Sequence, residues 1–279
     1  MARAPARSTS ASAGPERRVP PTRLPRKQRL QLRARTIEYV LSGNAAPALL
    51  LFSGAGVPLD GWGRLYPGLE RIARTLAWNR PGVGRSSGPH EPQSGAVVVE
   101  AVRALAESLG VGPPYVLVGH SLGGLHAQLF ARRYSEDVAG VVLVESLHLD
   151  DRGLVRGHEG RLAAVLGRML ALPPAQVRGS LRDELAGLDA TAAQVQAAGP
   201  FPAVPLAVIT GGTDPPHWLV PRRALRSKRV HQKELARLSP LGLQVVARRS
   251  GHFPQWTQPQ LVLDAIRSVV GQARAAAAA

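Results

Sequence analysis

The sequence of 279 residues contains no cysteine, which excludes disulfide bonds, a thiolate nucleophile and cysteine-ligated zinc. It contains no apolar run approaching the roughly 20 residues that crossing a bilayer requires. No apolar signal segment follows the N-terminus, so nothing in the sequence favours secretion. A hydrophobic content of 44% is typical of soluble globular proteins. We therefore expect a cytoplasmic protein without a membrane span.

Acidic residues are scarce: 19 of them stand against 35 lysines and arginines, and the formal net charge is +16. The excess is uneven, because the first 35 residues alone carry +9. This segment contains five prolines and little apolar periodicity, which predicts a disordered basic tail over residues 1–28 and a folded domain over residues 29–279. Such a tail attracts polyanions non-specifically, so we expect no specific nucleic-acid partner.

Short apolar runs that indicate buried strands alternate with segments whose apolar residues recur at helical spacing. One or two antiparallel strands are predicted over residues 29–40, and further strands over residues 48–52, 75–78, 115–118, 138–144, 206–209 and 244–247. Helices are predicted over residues 62–76, 96–109, 122–134 and 259–273. Strands that alternate with helices indicate an α/β fold, with a doubly wound, mostly parallel sheet covered by helices on both faces.

Residues of about 149–202 break this alternation, because they contain no convincing strand. Leu181, Leu185 and Leu188 recur at helical spacing, and an earlier segment of the same region has a similar pattern. We predict that this region is a small helical lid inserted between two strands. The alternative is a pair of ordinary crossover helices.

A Gly-x-Ser-x-Gly pentapeptide occupies residues 119–123, directly after a predicted strand and before a predicted helix. This arrangement places Ser121 on a sharp bend, with its hydroxyl free to attack a carbonyl. The N-terminus of the following helix favours negative charge beside the serine. A second match at residues 84–88 has a loop before Ser86 and prolines after it, so it lacks the strand and helix. We therefore predict Ser121 as the nucleophile.

A serine hydroxyl needs a base within hydrogen-bond reach, and the base needs a carboxylate that orients it. Of the eight histidines, His252 lies in a loop just after the last predicted strand. The carboxyl edge of a parallel sheet, where that loop begins, is where such folds hold their sites. We predict His252 as the base.

Two carboxylates compete for the role of the orienting acid. Asp214 follows an apolar strand and a glycine turn and stands before a proline, although aspartate is also a common turn former. Glu145 follows the strand over residues 138–144 at the same edge of the sheet. Both fit the order serine, acid, histidine; we favour Asp214, and Glu145 stays open.

An oxyanion hole needs two N–H donors aimed at the developing negative charge. Leu122, the residue after the nucleophile, supplies one in this prediction. The other is Ala55, in the Ser53-Gly54-Ala55-Gly56 loop after the strand over residues 48–52. This loop is not a dinucleotide fingerprint, because the third glycine is missing and a proline stands in the segment that follows Gly56.

Together these motifs resemble the α/β-hydrolase superfamily of serine hydrolases. The resemblance covers about residues 29–271 and five motifs in order: the Ser53 to Gly56 loop, residues 79–86, the Ser121 elbow, residues 211–214 and residues 251–253. It implies an eight-stranded sheet, a lid before the strand that carries the acid, and neither a cofactor nor a metal. Serine stands before Gly54 where family members often carry histidine. The spacing between Asp214 and His252 is longer than usual, which is why Glu145 stays open.

The resemblance implies hydrolysis of a small carboxylic ester or a related acyl bond through an acyl-enzyme. In this hypothesis Ser121 attacks, His252 takes its proton, Asp214 holds the imidazole, and the N–H groups of Ala55 and Leu122 bind the oxyanion. The partner is then a small-molecule acyl substrate. The alternatives are thioesterase, lactonase, C–C hydrolase or perhydrolase chemistry, or a catalytically silent binding protein of the same fold.

Overall fold

The computed structural model of the chain describes residues 24–32, 34–89, 91–151, 181–215, 220 and 222–279. Most of the predicted basic tail and the middle of the predicted lid, residues 152–180, lie outside these ranges. Leu24 packs against the core, and Lys27 forms an ion pair with Asp60. Contacts with the domain therefore begin a few residues before the predicted boundary at residue 29.

Eight strands form one sheet. They are β1 Gln28–Leu32, β2 Arg35–Ser42, β3 Ala48–Phe52, β4 Thr75–Trp78, β5 Tyr115–His120, β6 Val138–Val144, β7 Leu206–Gly211 and β8 Gly242–Ala247. Their order across the sheet is β1-β2-β4-β3-β5-β6-β7-β8. β2 is antiparallel to both of its neighbours, and the pairs from β4 to β8 are parallel. The chain order reverses between β3 and β5, which opens a crevice at their carboxyl ends.

Helices cover both faces of this sheet. They are α1 Tyr66–Ile72, α2 Gly95–Ser108, α3 Leu122–Arg133, α4 Leu188–Ala197, α5 Arg222–Ala236, α6 Pro254–Thr257 and α7 Pro259–Ala278. Side chains of α2, α3 and α4 join one hydrophobic core, and those of α1 and α7 join the other. The predicted fold class, a doubly wound and mostly parallel sheet, is confirmed. Among the described helices, none combines the length and the hydropathy that a bilayer crossing requires.

The central strands are buried on both sides, which explains their continuous apolar runs. In β3, Leu50 and Phe52 point into the core with α2 and α3, whereas Leu49 and Leu51 point into the core with α1 and α7. This alternation follows from the two-residue period of a strand. A strand of this kind fixes the direction of the loop that follows it, here the Ser53 to Gly56 loop.

Within the described part of the predicted lid, the leucines of residues 181–188 pack beside the Ser121 turn, whereas α4 also joins the core with α2 and α3. Residues 181–186 are helical and lead into α4, and no strand lies between β6 and β7 in the ranges that the structure covers. Leu181, Leu185 and Leu188 are buried in one cluster with Leu122 and Val57. The leucines at helical spacing therefore pack on the turn that carries Ser121.

The elbow at Ser121 depends on close approach of two backbones. A Cβ on Gly123 would lie 2.1 Å from the carbonyl oxygen of Phe52, at the end of β3. The added Cβ and the Phe52 carbonyl oxygen are both fixed by the backbone, so no side-chain movement can relieve the clash. Relieving it would push α3 away from the sheet.

Replacing Gly123 with alanine is expected to lower the free energy of unfolding by more than about 4 kcal/mol. Urea denaturation followed by circular dichroism measures this loss. Gly112→Ala is the matched control, because a Cβ there meets nothing within 4 Å. A Gly123→Ala protein as stable as the Gly112→Ala protein would contradict the packing of α3 on β3.

Candidate active site

Ser121 stands between β5 and α3 in a strained conformation, with φ 52° and ψ −121°. A positive φ is rare for a residue with a side chain, and such strain persists where the surrounding structure enforces it, often at functional sites. Two backbone hydrogen bonds hold the turn: the Ser121 N–H donates to Val144, and the Leu147 N–H donates to the Ser121 carbonyl. The structure thus forms the sharp bend between a strand and a helix that was predicted at Ser121.

His252 lies in the loop between β8 and α6, as predicted. Its Nε2 is 3.1 Å from Ser121 Oγ, which is hydrogen-bond distance. The loop is held in place by His120, whose Nε2 is 2.8 Å from the carbonyl oxygen of His252. The structure therefore brings the predicted nucleophile and the predicted base together.

The carboxylate beside this imidazole belongs to Glu145. Its Oε2 is 3.2 Å from His252 Nδ1. Glu145 directly follows β6, and its φ of 47° is positive. In the part of the chain that the structure describes, Ser121 and Glu145 are the two residues other than glycine with a positive φ. A positive φ thus marks both residues that contact His252 from the carboxyl edge of the sheet.

Glu145 is held as a buried carboxylate by three donors. The N–H of Gly211 donates to its Oε1 at 2.6 Å, and the Lys228 ammonium bonds to the Oε2 that also faces His252. Burial opposes the charge, but the hydrogen bond from His252 and the charge of Lys228 outweigh it and lower the pKa of Glu145 to about 2. The carboxylate is therefore ionised at neutral pH and able to orient an imidazole.

The structure does not bring the predicted acid, Asp214, to His252, and Glu145 lies there instead. Asp214 forms an ion pair with Arg229 on α5, and its side chain is about one-third exposed. The physical reason lies just before it: after Gly211 the chain follows the end of β8, because the Thr213 N–H donates to the carbonyl of Ser250. That path carries Asp214 outward, while Glu145 stays at the end of its strand.

The predicted oxyanion loop contacts the nucleophile. A Cβ on Gly54 would lie 3.1 Å from the Cβ of Ser121, so this backbone already touches the elbow. Leu122 begins α3, and the first N–H groups of a helix have no partner within the helix. The structure brings Leu122 and the loop with Ala55 to the same side chain, and their role as oxyanion donors stays a prediction.

Three charged residues at this site were not identified from the sequence. Lys228 reaches Glu145 from α5, and Arg80 forms a buried ion pair with Glu184 beside the Ser53 to Gly56 loop. Arg80 belongs to the motif over residues 79–86, so the sequence indicated that this residue matters. The motif did not indicate that its partner is Glu184. For Lys228 and Glu184 the sequence offers no comparable signal.

Two neutral histidines are buried beside the site. Burial lowers the pKa of His120 to about 3 and holds the pKa of His126 well below 6.5. Both nitrogens of the His126 ring lack a hydrogen-bond partner in the described residues. Below about pH 6.5 these histidines become protonated in the unfolded chain but stay neutral in the folded protein. The free energy of unfolding therefore falls as the pH falls.

Replacing His126 with leucine is expected to make the protein less sensitive to acid. One fewer proton is then bound on unfolding, so the free energy of unfolding should fall less steeply below pH 6.5, by up to about 1.4 kcal/mol per pH unit. Urea denaturation at several pH values between 7.5 and 5 measures the two slopes. Equal slopes for the two proteins would contradict a buried, neutral His126.

One cluster outside the site carries potential metal ligands. His148, Asp150 and His231 bring ligand atoms within 4.8 Å of one another. However, the two imidazole rings stack with centroids 4.5 Å apart and planes only 20° apart. The in-plane lone pairs of two stacked rings lie in separate planes and do not converge on one ion, and His231 Nδ1 is hydrogen-bonded to Asp151. In these rotamers the cluster is a stacked, hydrogen-bonded group.

Comparison with known proteins agrees with this architecture. The chain is 35% identical over 80 residues to an uncharacterized protein of Schizosaccharomyces pombe, which is 29% of this chain and 15% of that protein. It is 35% identical over 107 residues to a pimeloyl-(acyl-carrier protein) methyl ester esterase of Sodalis glossinidius, 38% of each chain. The chain thus spans less than half of the length of these curated relatives.

Among solved structures, the enol-lactonase of Burkholderia xenovorans superposes with a TM-score of 0.65 at 21% identity, covering 88% of this chain and all of that one. At this identity the likeness concerns the fold. The family model described as the alpha/beta hydrolase fold matches residues 47–217, more than half of the sequence. The chain therefore belongs to the alpha/beta hydrolase fold family.

Proposed function

We propose that the protein is a serine hydrolase that cleaves a small carboxylic ester, or a related acyl bond, through an acyl-enzyme. The observation that carries this proposal is the position of His252. One ring nitrogen lies 3.1 Å from Ser121 Oγ and the other lies 3.2 Å from Glu145 Oε2. This is the order of nucleophile, base and orienting acid that acyl transfer by a serine requires.

In the first half of the reaction, the Ser121 oxygen attacks the acyl carbon while His252 Nε2 accepts the hydroxyl proton. Glu145 stays ionised, holds the Nδ1 proton on the far side of the ring, and stabilises the imidazolium that forms. The tetrahedral intermediate collapses as the imidazolium returns the proton to the leaving alcohol. The acyl group is then esterified to Ser121.

In the second half, water enters and gives a proton to His252 Nε2 as its oxygen attacks the acyl carbon. The second intermediate releases the carboxylic acid and restores the Ser121 hydroxyl. In both halves the negative charge develops on the acyl oxygen. We assign the N–H groups of Leu122 and Ala55 to that oxygen, because both segments meet at Ser121. Every step uses this chain's own side chains and backbone.

The surroundings of Ser121 favour an apolar group on the substrate. Ala55, Leu147 and Phe253 are partly buried and pack against the leucine cluster that covers the elbow. The imidazole of His252 is itself about two-fifths exposed, so a small molecule reaches it from solvent. The related esterase acts on a methyl ester, which agrees with an ester substrate for this chain.

Turnover of nitrophenyl esters of increasing acyl length tests this proposal. We expect measurable hydrolysis of at least one acetyl to octanoyl ester, with a preference above acetyl because of the apolar surroundings. Matched thioester, lactone and β-diketone substrates distinguish thioesterase, lactonase and C–C hydrolase chemistry. Ligand binding without turnover of any of these compounds would indicate a binding protein and contradict the proposal.

A further inference from the structure

A buried ion pair lies below the oxyanion loop. Arg80 follows β4, and Glu184 lies in the helical residues 181–186, yet their side chains are only 3% and 2% exposed. Placing two charges in the interior is costly unless further hydrogen bonds satisfy them. The partners of these charges therefore indicate what the pair does in the fold.

Those further partners are backbone atoms of the oxyanion loop. The Arg80 guanidinium donates to the carbonyl of Ser53 at 2.7 Å and to the carbonyl of Gly54 at 2.8 Å. The second oxygen of Glu184 accepts the N–H of Gly56 at 2.6 Å. Three backbone groups within four consecutive residues are thus fixed by one pair of side chains.

Fixing the Gly54 carbonyl also fixes the neighbouring N–H. The peptide bond is planar and trans, so the Ala55 N–H points opposite to the Gly54 carbonyl. With that carbonyl bonded to Arg80, the Ala55 N–H is directed away from the guanidinium, and it has no hydrogen-bond partner among the described residues. The Gly54 backbone meanwhile packs against Ser121 and His120, which leaves the loop little room to shift.

We propose that Arg80 is a positioning residue that orients the Ala55 N–H towards the acyl oxygen. In this proposal Glu184 links that orientation to the position of the helical residues 181–186. This inference rests on the proposed function. Arg80 touches no reacting atom in it; Arg80 acts through the Gly54–Ala55 peptide plane. Movement of the segment that carries Glu184 would then alter the rate of acyl transfer.

The test compares the wild type with the double variant Arg80→Met/Glu184→Gln, which removes both buried charges and so avoids leaving either one unpaired. The substrates are a nitrophenyl ester and its thionoester, in which sulfur replaces the acyl oxygen. Sulfur is larger and accepts hydrogen bonds weakly, so an oxyanion hole accelerates the ester more than the thionoester. The ratio of the two rates therefore reports on the hole rather than on general activity.

We expect kcat for the ester to fall about 10²–10³-fold in the double variant, the loss typical of one oxyanion donor, with little change in KM. The ratio of ester to thionoester rates should fall with it. Arg80→Lys cannot donate to both carbonyls in the same fork geometry. Its kcat and its rate ratio should therefore lie between those of the wild type and the double variant. The control is Arg74→Met, since Arg74 also donates to two loop carbonyls, those of Leu109 and Gly110, away from Ser121.

A double variant that loses ester turnover but keeps the wild-type ratio would overturn the inference, because the pair would then support the fold alone. A wild type that cleaves no acyl substrate would instead contradict the proposed function. In that case, hydrogen exchange of residues 53–57 decides the inference separately. Faster exchange there in the double variant than in Arg74→Met supports it, and equal protection in the two overturns it.

Discussion

Ester turnover is expected to fall about 10⁵–10⁶-fold when Ser121 is replaced with alanine, since loss of the nucleophile removes the covalent pathway altogether. The residual rate would come from the oxyanion donors and from substrate binding. Initial rates with a nitrophenyl ester measure this loss. Labelling with a fluorophosphonate, which reacts with an activated serine, should disappear in the same variant.

The second Gly-x-Ser-x-Gly match provides the control. Ser86 Oγ accepts the N–H of Glu38 and donates to the carbonyl of Asn79, so its hydroxyl is engaged in structure. Ser86→Ala should retain fluorophosphonate labelling and most of the turnover. Labelling that persists in Ser121→Ala and vanishes in Ser86→Ala would exchange the roles of the two serines and contradict the account.

Replacing Glu145 with glutamine is expected to lower kcat about 10³–10⁴-fold, whereas Asp214→Asn should stay close to the wild type. A glutamine side chain still fits beside Gly211 and accepts its N–H. However, it presents an amide to His252 Nδ1, loses the negative charge that stabilises the imidazolium, and favours the wrong tautomer. Asp214 contacts Arg229 instead of His252, so its amide costs one exposed ion pair.

Kinetics and stability must be measured together for these two variants. Glu145→Gln leaves Lys228 without its carboxylate, so part of any loss in activity could arise from unfolding. Thermal unfolding of each variant separates the two effects. A folded Glu145→Gln protein with near wild-type kcat, beside an inactive Asp214→Asn protein, would restore Asp214 as the acid and require a rearrangement of the loop after β7.

The framework of the fold was predictable because its signals are local. β3 and β6 match the predicted ranges, since a buried strand requires a continuous apolar run with clear ends. The elbow at Ser121 was predictable because glycines at residues 119 and 123 mark the close approach of backbones. The position of His252 followed from the rule that loops at the carboxyl edge of the sheet carry the site.

The preference for Asp214 does not match the geometry, because two carboxylates follow strand ends, and sequence order alone does not show which one turns inward. Glu145 comes directly after β6, without an intervening glycine, and so remains at the edge of the sheet. The glycines at residues 211 and 212 allow the chain before Asp214 to turn along β8. The absence of a flexible turn before Glu145 is the signal that favours it.

Other features depend on contacts that are distant in sequence. α5 was not predicted, because its arginines and lysines conceal a narrow apolar stripe made by Ala224, Leu225 and Leu235. Lys228 reaches Glu145 across 83 residues, and Arg80 reaches Glu184 across 104 residues. Pairings over such distances are set by the packing of elements, which motif spacing does not encode. The first helix was also predicted too long, because α1 ends at Ile72 to let β4 begin.

The central claim is that an acyl group passes through the hydroxyl of Ser121. Acid quenching during turnover of a nitrophenyl ester, followed by mass spectrometry of the proteolysed protein, tests it most directly. The account predicts one added acyl group, on the peptide that contains Ser121, and none in Ser121→Ala. An acyl group on any other residue, or steady turnover by Ser121→Ala at the wild-type rate, would contradict it.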